Sequence, residues 1–99
     1  MKRPADCESM ADIRAAIDDL DHQVMVLLAQ RFEYVKAAAP FKTDAAGVKA
    51  PERLQAMLHQ RRLWATELGL DPDVIERLYR DLVEYFIAEE LRHWQAENR

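Results

Sequence analysis

From Met10 to Ala39 nothing in the sequence interrupts a helical pattern. Ile13, Ile17, Leu20, Val24, Leu27, Leu28 and Val35 recur at steps of three and four, which lines them up along one helix face. Ser9 and Asp12 supply capping side chains at the start, and Pro40 is the first residue that cannot continue the run. At 1.5 Å per residue such a helix is roughly 45 Å long. A compact monomer of this chain's 99 residues has a radius of gyration of only about 13 Å. One chain therefore has too little of itself to cover the stripe. A second copy is expected to do so, with two long helices side by side in an intertwined homodimer.

The remaining sequence completes an all-α fold of three helices. Thr43 to Ala50 contains Gly47 and reads as a loop. Pro51 suits the first turn of a second helix, which runs to about Glu67 with Gly69 as its stop. Asp71 and Pro72 open a third helix that continues to about Glu97. A chain that is 49% hydrophobic, with two glycines and four prolines, is expected to fold, as a single domain over residues 1–99.

Composition also narrows the partners. A net charge of −4 and a pI near 5.3 argue against nucleic acid or an anionic membrane. No apolar run is long enough to span a bilayer. The opening MKRPADCESM lacks the apolar stretch of a secretion signal, so a cytoplasmic location is expected. Cys7 is alone and cannot form an intrachain disulfide; an inert thiol is its simplest reading.

Four cations are out of place on this background: Arg14, Arg31, Lys42 and Arg53. Arg31 lies seven residues after Val24 and four before Val35, so it shares the apolar stripe. Arg14 is at the edge of that stripe, three residues before Ile17. A guanidinium there either snorkels, pairs with Asp18 or Asp21, or meets an anionic ligand, for which its planar fork is well suited. Arg14 and Arg31 are seventeen positions apart, roughly 25 Å along one helix. They can grip one small molecule only if an antiparallel dimer brings Arg14 of one subunit to Arg31 of the other. Lys42 opens the loop and Arg53 is in the first turn of the second helix; each alone reads as a solvated charge.

The third helix has an anomaly of opposite sign. Tyr79, Val83, Phe86, Glu90 and Trp94 form a three- and four-residue series, so Glu90 interrupts a largely aromatic stripe. Burial would raise its pKa and favour the protonated acid, a hydrogen-bond donor; the alternative is an ion pair with a basic residue. Glu89 and His93 have i, i+4 spacing but no third ligand, so no metal is expected. His22 and His59 lie on polar stretches and read as solvent-facing. No nucleophile arrangement is legible. Cations with one carboxyl suit a reaction that the substrate performs on itself once it is held correctly.

Four stretches carry a resemblance over nearly the whole chain: DCESMADIRAAID, RFEYVKAAAPFK, APERLQAML and YFIAEELRHW. With the Arg14, Arg31, Lys42, Arg53 framework, the sequence resembles the all-helical chorismate mutase family, and most closely its isochorismate-pyruvate lyase branch of salicylate (siderophore) biosynthesis. The resemblance implies a dimer with two equivalent sites and no metal or organic cofactor. Arg31, with Arg14 from the other subunit, would bind the two carboxylates of isochorismate or chorismate. Lys42, on a loop that closes over the ligand, would hydrogen-bond the ether oxygen and a carboxylate, and Arg53 would support the carboxylate end. Dedicated mutases commonly carry Asp-x-x-Arg-Glu in the second helix, its Glu bonding the ring hydroxyl of chorismate. Here Ala50-Pro51-Glu52-Arg53-Leu54 puts Leu54 in place of that Glu, which favours the lyase with weaker mutase activity. Glu90 stands where a Gln that donates to the ether oxygen is usual, and must be protonated to do the same. Pro40, just before Lys42, is also unexpected for the family and bears on how the loop closes. A dedicated mutase serving aromatic amino acid synthesis is the alternative, and a non-catalytic helical dimerisation module a more distant one.

Overall fold

The computed structural model describes residues 1–42, 44, 47 and 50–97. Among these, all regular structure is helical and no strand occurs. Three long helices follow in order: α1 (Met10–Ala38), α2 (Pro51–Glu67) and α3 (Pro72–Glu97). Short 3-10 turns at Pro4–Asp6 and Ala39–Phe41 flank α1. The chain divides into two compact units, Met1–Tyr34 and Val35–Arg99.

The start of α1 is fixed by its caps. The Ser9 hydroxyl accepts the Asp12 N–H at 3.1 Å, and the Asp12 carboxylate accepts the Glu8 N–H at 3.0 Å. Lys2 Nζ adds a second contact to that carboxylate at 3.0 Å. These bonds favour the charged form and hold the Asp12 pKa below its ordinary value, the Glu8 N–H contributing most. The helix ends at Ala38, one residue before the expected end, and gives way to the 3-10 turn that contains Pro40, whose missing N–H cannot continue the α-helical ladder. Within the first unit much of the stripe is exposed: Ile17, Leu20, Val24 and Leu27 are between 47% and 62% accessible, whereas Ile13 and Leu28 are half-buried.

The second unit holds the buried side chains found among the described residues: Ala39, Met57, Leu58, Ala65, Phe86 and Glu90. Here α2 and α3 pack against each other, and the Ala39–Phe41 turn sits against α3. The connection from α2 to α3 is a Schellman motif. Gly69 N–H donates to Thr66 O at 3.2 Å and Leu70 N–H to Ala65 O at 2.8 Å, with Gly69 at φ +77°. Only glycine takes that conformation without steric cost. Asp71 then caps α3, its Oδ1 accepting the Asp73 N–H at 2.9 Å. Arg62 ties the two helices together through Asp73 at 2.8 Å, and Arg61 lies 4.8 Å from the Trp64 ring centre and 5.7 Å from that of Tyr79.

Entry to α2 has a different character. Ala50 takes left-handed backbone, φ 38° and ψ 62°, immediately before Pro51. That conformation costs a residue with a Cβ roughly 1–2 kcal/mol, and the α region is closed to it by the following proline. Of the segment expected as a loop, Thr43, Ala45, Ala46, Val48 and Lys49 lie outside the described residues, whereas Gly47 has helical backbone.

Candidate functional site

The Ala39–Phe41 turn brings Lys42 to Glu90. Pro40 ends α1 and shapes the turn, which closes with the Lys42 N–H donating to Ala39 O at 3.1 Å. Ala39 is buried, and the turn packs on α3. On α3 the stripe foreseen from Tyr79, Val83, Phe86, Glu90 and Trp94 turns inward: Phe86 and Glu90 are buried and the other three half-buried. The result is a contact between residues distant in sequence, with Lys42 Nζ 3.8 Å from Glu90 Oε1.

Glu90 is 6% exposed, the only buried charged side chain among the described residues. Its Oε1 accepts no hydrogen bond among them. Taking a carboxylate out of water disfavours its charge, so burial raises the Glu90 pKa; the Lys42 ammonium opposes the shift without cancelling it. A distance of 3.8 Å gives an electrostatic contact but not a direct hydrogen bond. The pair is therefore a buried carboxyl group, its pKa raised by burial, beside a cation.

Lys42 has a second anchor. Its ammonium donates to the Gly47 carbonyl at 3.0 Å, and the Asp44 carboxylate accepts the Gly47 N–H at 2.7 Å. Asp44 and Gly47 escaped the sequence reading as site residues, although an Asp three positions before a helical residue is a recognisable capping pattern.

The remaining sequence candidates are distributed as follows. Arg53 is exposed on the first turn of α2, in the second unit with Lys42 and Glu90. Leu54, beside it, is half-buried. Arg14 and Arg31 both lie in the first unit, Arg14 exposed and Arg31 half-buried. His22 and His59 are exposed. Glu89 pairs with Arg92 one turn along α3. Among the described residues, no group of three or more His, Cys, Asp and Glu is placed to hold a metal ion. No described helix is long and apolar enough to cross a membrane.

What this arrangement can do chemically is donate. A cation and a buried carboxyl group lie 3.8 Å apart on two elements, and the carboxyl group is a donor whenever it is protonated; donors so placed suit an oxygen that gains negative charge as a bond to it breaks.

Comparison with known proteins shows the family. Residues 13–91 match the family described as chorismate mutase type II, a span that includes Arg14, Arg31, Lys42, Arg53 and Glu90. The Pseudomonas aeruginosa protein named isochorismate pyruvate lyase is 45% identical over 96% of this chain and 94% of its own length. The Haemophilus influenzae protein named T-protein is 37% identical over 84% of this chain, which corresponds to 22% of that longer protein. The Methanocaldococcus jannaschii protein named chorismate mutase is 27% identical over 79% of this chain and 80% of its own. By a family match that runs from the first long helix almost to the end of the last, this chain belongs to the chorismate mutase type II family.

Proposed function

We propose that this enzyme eliminates pyruvate from isochorismate to give salicylate, and more slowly rearranges chorismate to prephenate in the same site. The observation that carries this reading is the 45% identity, over nearly the full length of both chains, to a protein named isochorismate pyruvate lyase. Leu54 supports the same choice, since an aliphatic side chain offers no acceptor to a ring hydroxyl. The relative named chorismate mutase supports the secondary activity.

The substrate's two carboxylates are held by Arg31 and by Arg14 of a second copy, with Arg53 at the carboxylate end. Lys42 donates to the ether oxygen and a carboxylate, and protonated Glu90 donates to the ether oxygen. Holding the enolpyruvyl tail over the ring lets the reaction proceed within the substrate. The ether C–O bond breaks while a ring C–H hydrogen passes to the methylene carbon of the tail. The tail leaves as pyruvate, carrying a new methyl group, and the ring becomes aromatic as salicylate. Atoms and electrons balance with no co-reactant. Charge that develops on the ether oxygen meets donors already in place.

The dimer is part of the proposal. Ile17, Leu20, Val24 and Leu27 give one chain an exposed apolar stripe that a second copy of α1 matches by symmetry. Seventeen positions separate Arg14 from Arg31 on α1, which supports a site completed across subunits.

Purified protein incubated with each substrate tests the reading, with salicylate, pyruvate and prephenate followed separately. Faster turnover of isochorismate is expected. Faster turnover of chorismate would make it a dedicated mutase. Dicarboxylate binding that is unchanged in Arg31→Ala would point to a helical dimerisation module instead.

A further inference from the structure

We infer that Asp44 and Gly47 are positioning residues for the Lys42 ammonium, acting through one hydrogen-bonded relay. The inference rests on the role of Lys42 given above and adds how that side chain is aimed.

A lysine ammonium is a point charge on a flexible four-carbon stem, so its direction must be imposed by something else. Glu90 at 3.8 Å attracts the charge but is too far to fix its direction by a hydrogen bond. The Gly47 carbonyl at 3.0 Å does fix it. An ammonium has three donors, so committing one to Gly47 leaves two directions for substrate oxygens. The carbonyl can act as an anchor only if Gly47 itself is held. Asp44 does this by accepting the Gly47 N–H at 2.7 Å, a short charge-assisted bond.

Glycine at this point is explained by space and not by backbone conformation. A Cβ on Gly47 would lie 3.3 Å from Asp44 Oδ1, and 3.8 and 3.9 Å from Lys42 Cδ and Cβ. The first of these is closer than ordinary van der Waals contact and falls on the oxygen that makes the anchoring bond. Asp44 and Lys42 thus close over the face of Gly47 where a side chain would stand. Helix propensity alone predicts that Gly47→Ala, at helical backbone, gains stability and leaves kcat unchanged. The relay predicts that the same change weakens activity. The kcat of Gly47→Ala separates the two accounts.

The test uses the full chain with isochorismate, following kcat and KM. Asp44→Ala is expected to lower kcat by about tenfold, the worth of one well-placed hydrogen bond, with little change in KM. Asp44→Asn keeps an acceptor oxygen without the charge and is expected to restore kcat to within about threefold of wild type. In a Lys42→Ala background, Asp44→Ala should cost nothing further, because the relay has lost its end. Full activity in Asp44→Ala, no recovery in Asp44→Asn, or an additive double variant would each overturn the inference. Should Asp44→Ala not fold, Gly47→Ala takes its place: a lowered kcat is expected, and undiminished kcat overturns the relay. A readout independent of activity keeps the two proposals apart. In 15N-lysine-labelled protein the Lys42 ammonium signal should be protected from solvent exchange in wild type and Asp44→Asn, and lose protection in Asp44→Ala. Protection with no lyase activity would defeat the proposed reaction and leave the relay standing; equal exchange in wild type and Asp44→Ala would defeat the relay.

Discussion

The two units of this chain bury their apolar residues to very different extents. In Met1–Tyr34, Ile17, Leu20, Val24 and Leu27 repeat with helical spacing and remain exposed. In Val35–Arg99, a similar series on α3 turns Phe86 and Glu90 inward against neighbouring elements of the same unit. The carboxylates diverge in the same way. Asp12, in contact with water, receives N–H donors and titrates lower than usual, whereas Glu90, away from water, titrates higher. Amphipathic spacing states which face a helix needs to cover; it does not state whether its own chain supplies the cover.

The hardest way to break this comparison is to charge the uncovered stripe. If the proposed dimer forms, Val24→Glu is expected to convert it to monomer and reduce lyase activity by roughly a thousandfold, since each subunit would lose the Arg14 proposed to come from the other. Sedimentation and the salicylate assay check it together. A fully active Val24→Glu monomer would overturn the proposed composite site.

Core truncation sharpens the contrast in stability. Phe86→Ala is expected to destabilise the fold by about 3–5 kcal/mol, the usual cost of emptying a buried aromatic site. Leu27→Ala, on the exposed stripe, should lower the melting temperature by an amount that depends on protein concentration, because it weakens association. Thermal melts over a wide range of concentration distinguish the two; a concentration-independent Leu27→Ala effect would place that residue in an intrachain core.

A smaller effect comes from Glu90→Gln. An acid whose folded-state pKa is raised binds its proton more tightly when folded, so its burial penalty is absent below the ordinary value of 4.5 and complete above the raised one. Glu90→Gln removes that penalty. Its melting temperature should therefore gain on wild type as pH rises from acid to neutral. In the activity assay, wild type should speed up toward acidic pH as the donor form of Glu90 fills, and Glu90→Gln should flatten that rise. A parallel pH profile for the two proteins would overturn the role proposed for Glu90 as proton-bearing donor.

Asp12→Asn is the smallest change, and its sign is reversed. A carboxylate with a lowered pKa stabilises the fold above its ordinary value of 3.8 and loses that contribution as pH falls through the lowered one. Asp12→Asn should lower the melting temperature slightly at neutral pH, with the gap closing in acid. A gap that widens in acid would contradict the capping account.

Much of this molecule is local, and what is local was legible. The Ser9 and Asp71 caps, the Gly69 stop and the ends of α2 and α3 follow from hydrogen bonds that reach no more than about a turn of helix. The out-of-place cations and the interrupted stripe at Glu90 were also visible, because spacing alone assigns a residue to a helix face. By itself, then, the sequence determined three helices, their boundaries to within a residue or so, and a short set of candidates with the right chemistry. Tertiary structure decided which of them meet. That Lys42 lies 3.8 Å from Glu90 depends on Pro40 folding the end of α1 into a turn that packs on α3. That Glu90 holds its proton more tightly than usual depends on the water excluded around it. Neither fact is a property of a residue or its near neighbours in the chain. Burial and long-range contact come from packing, which acts between segments whose separation in sequence carries no information about their distance in space.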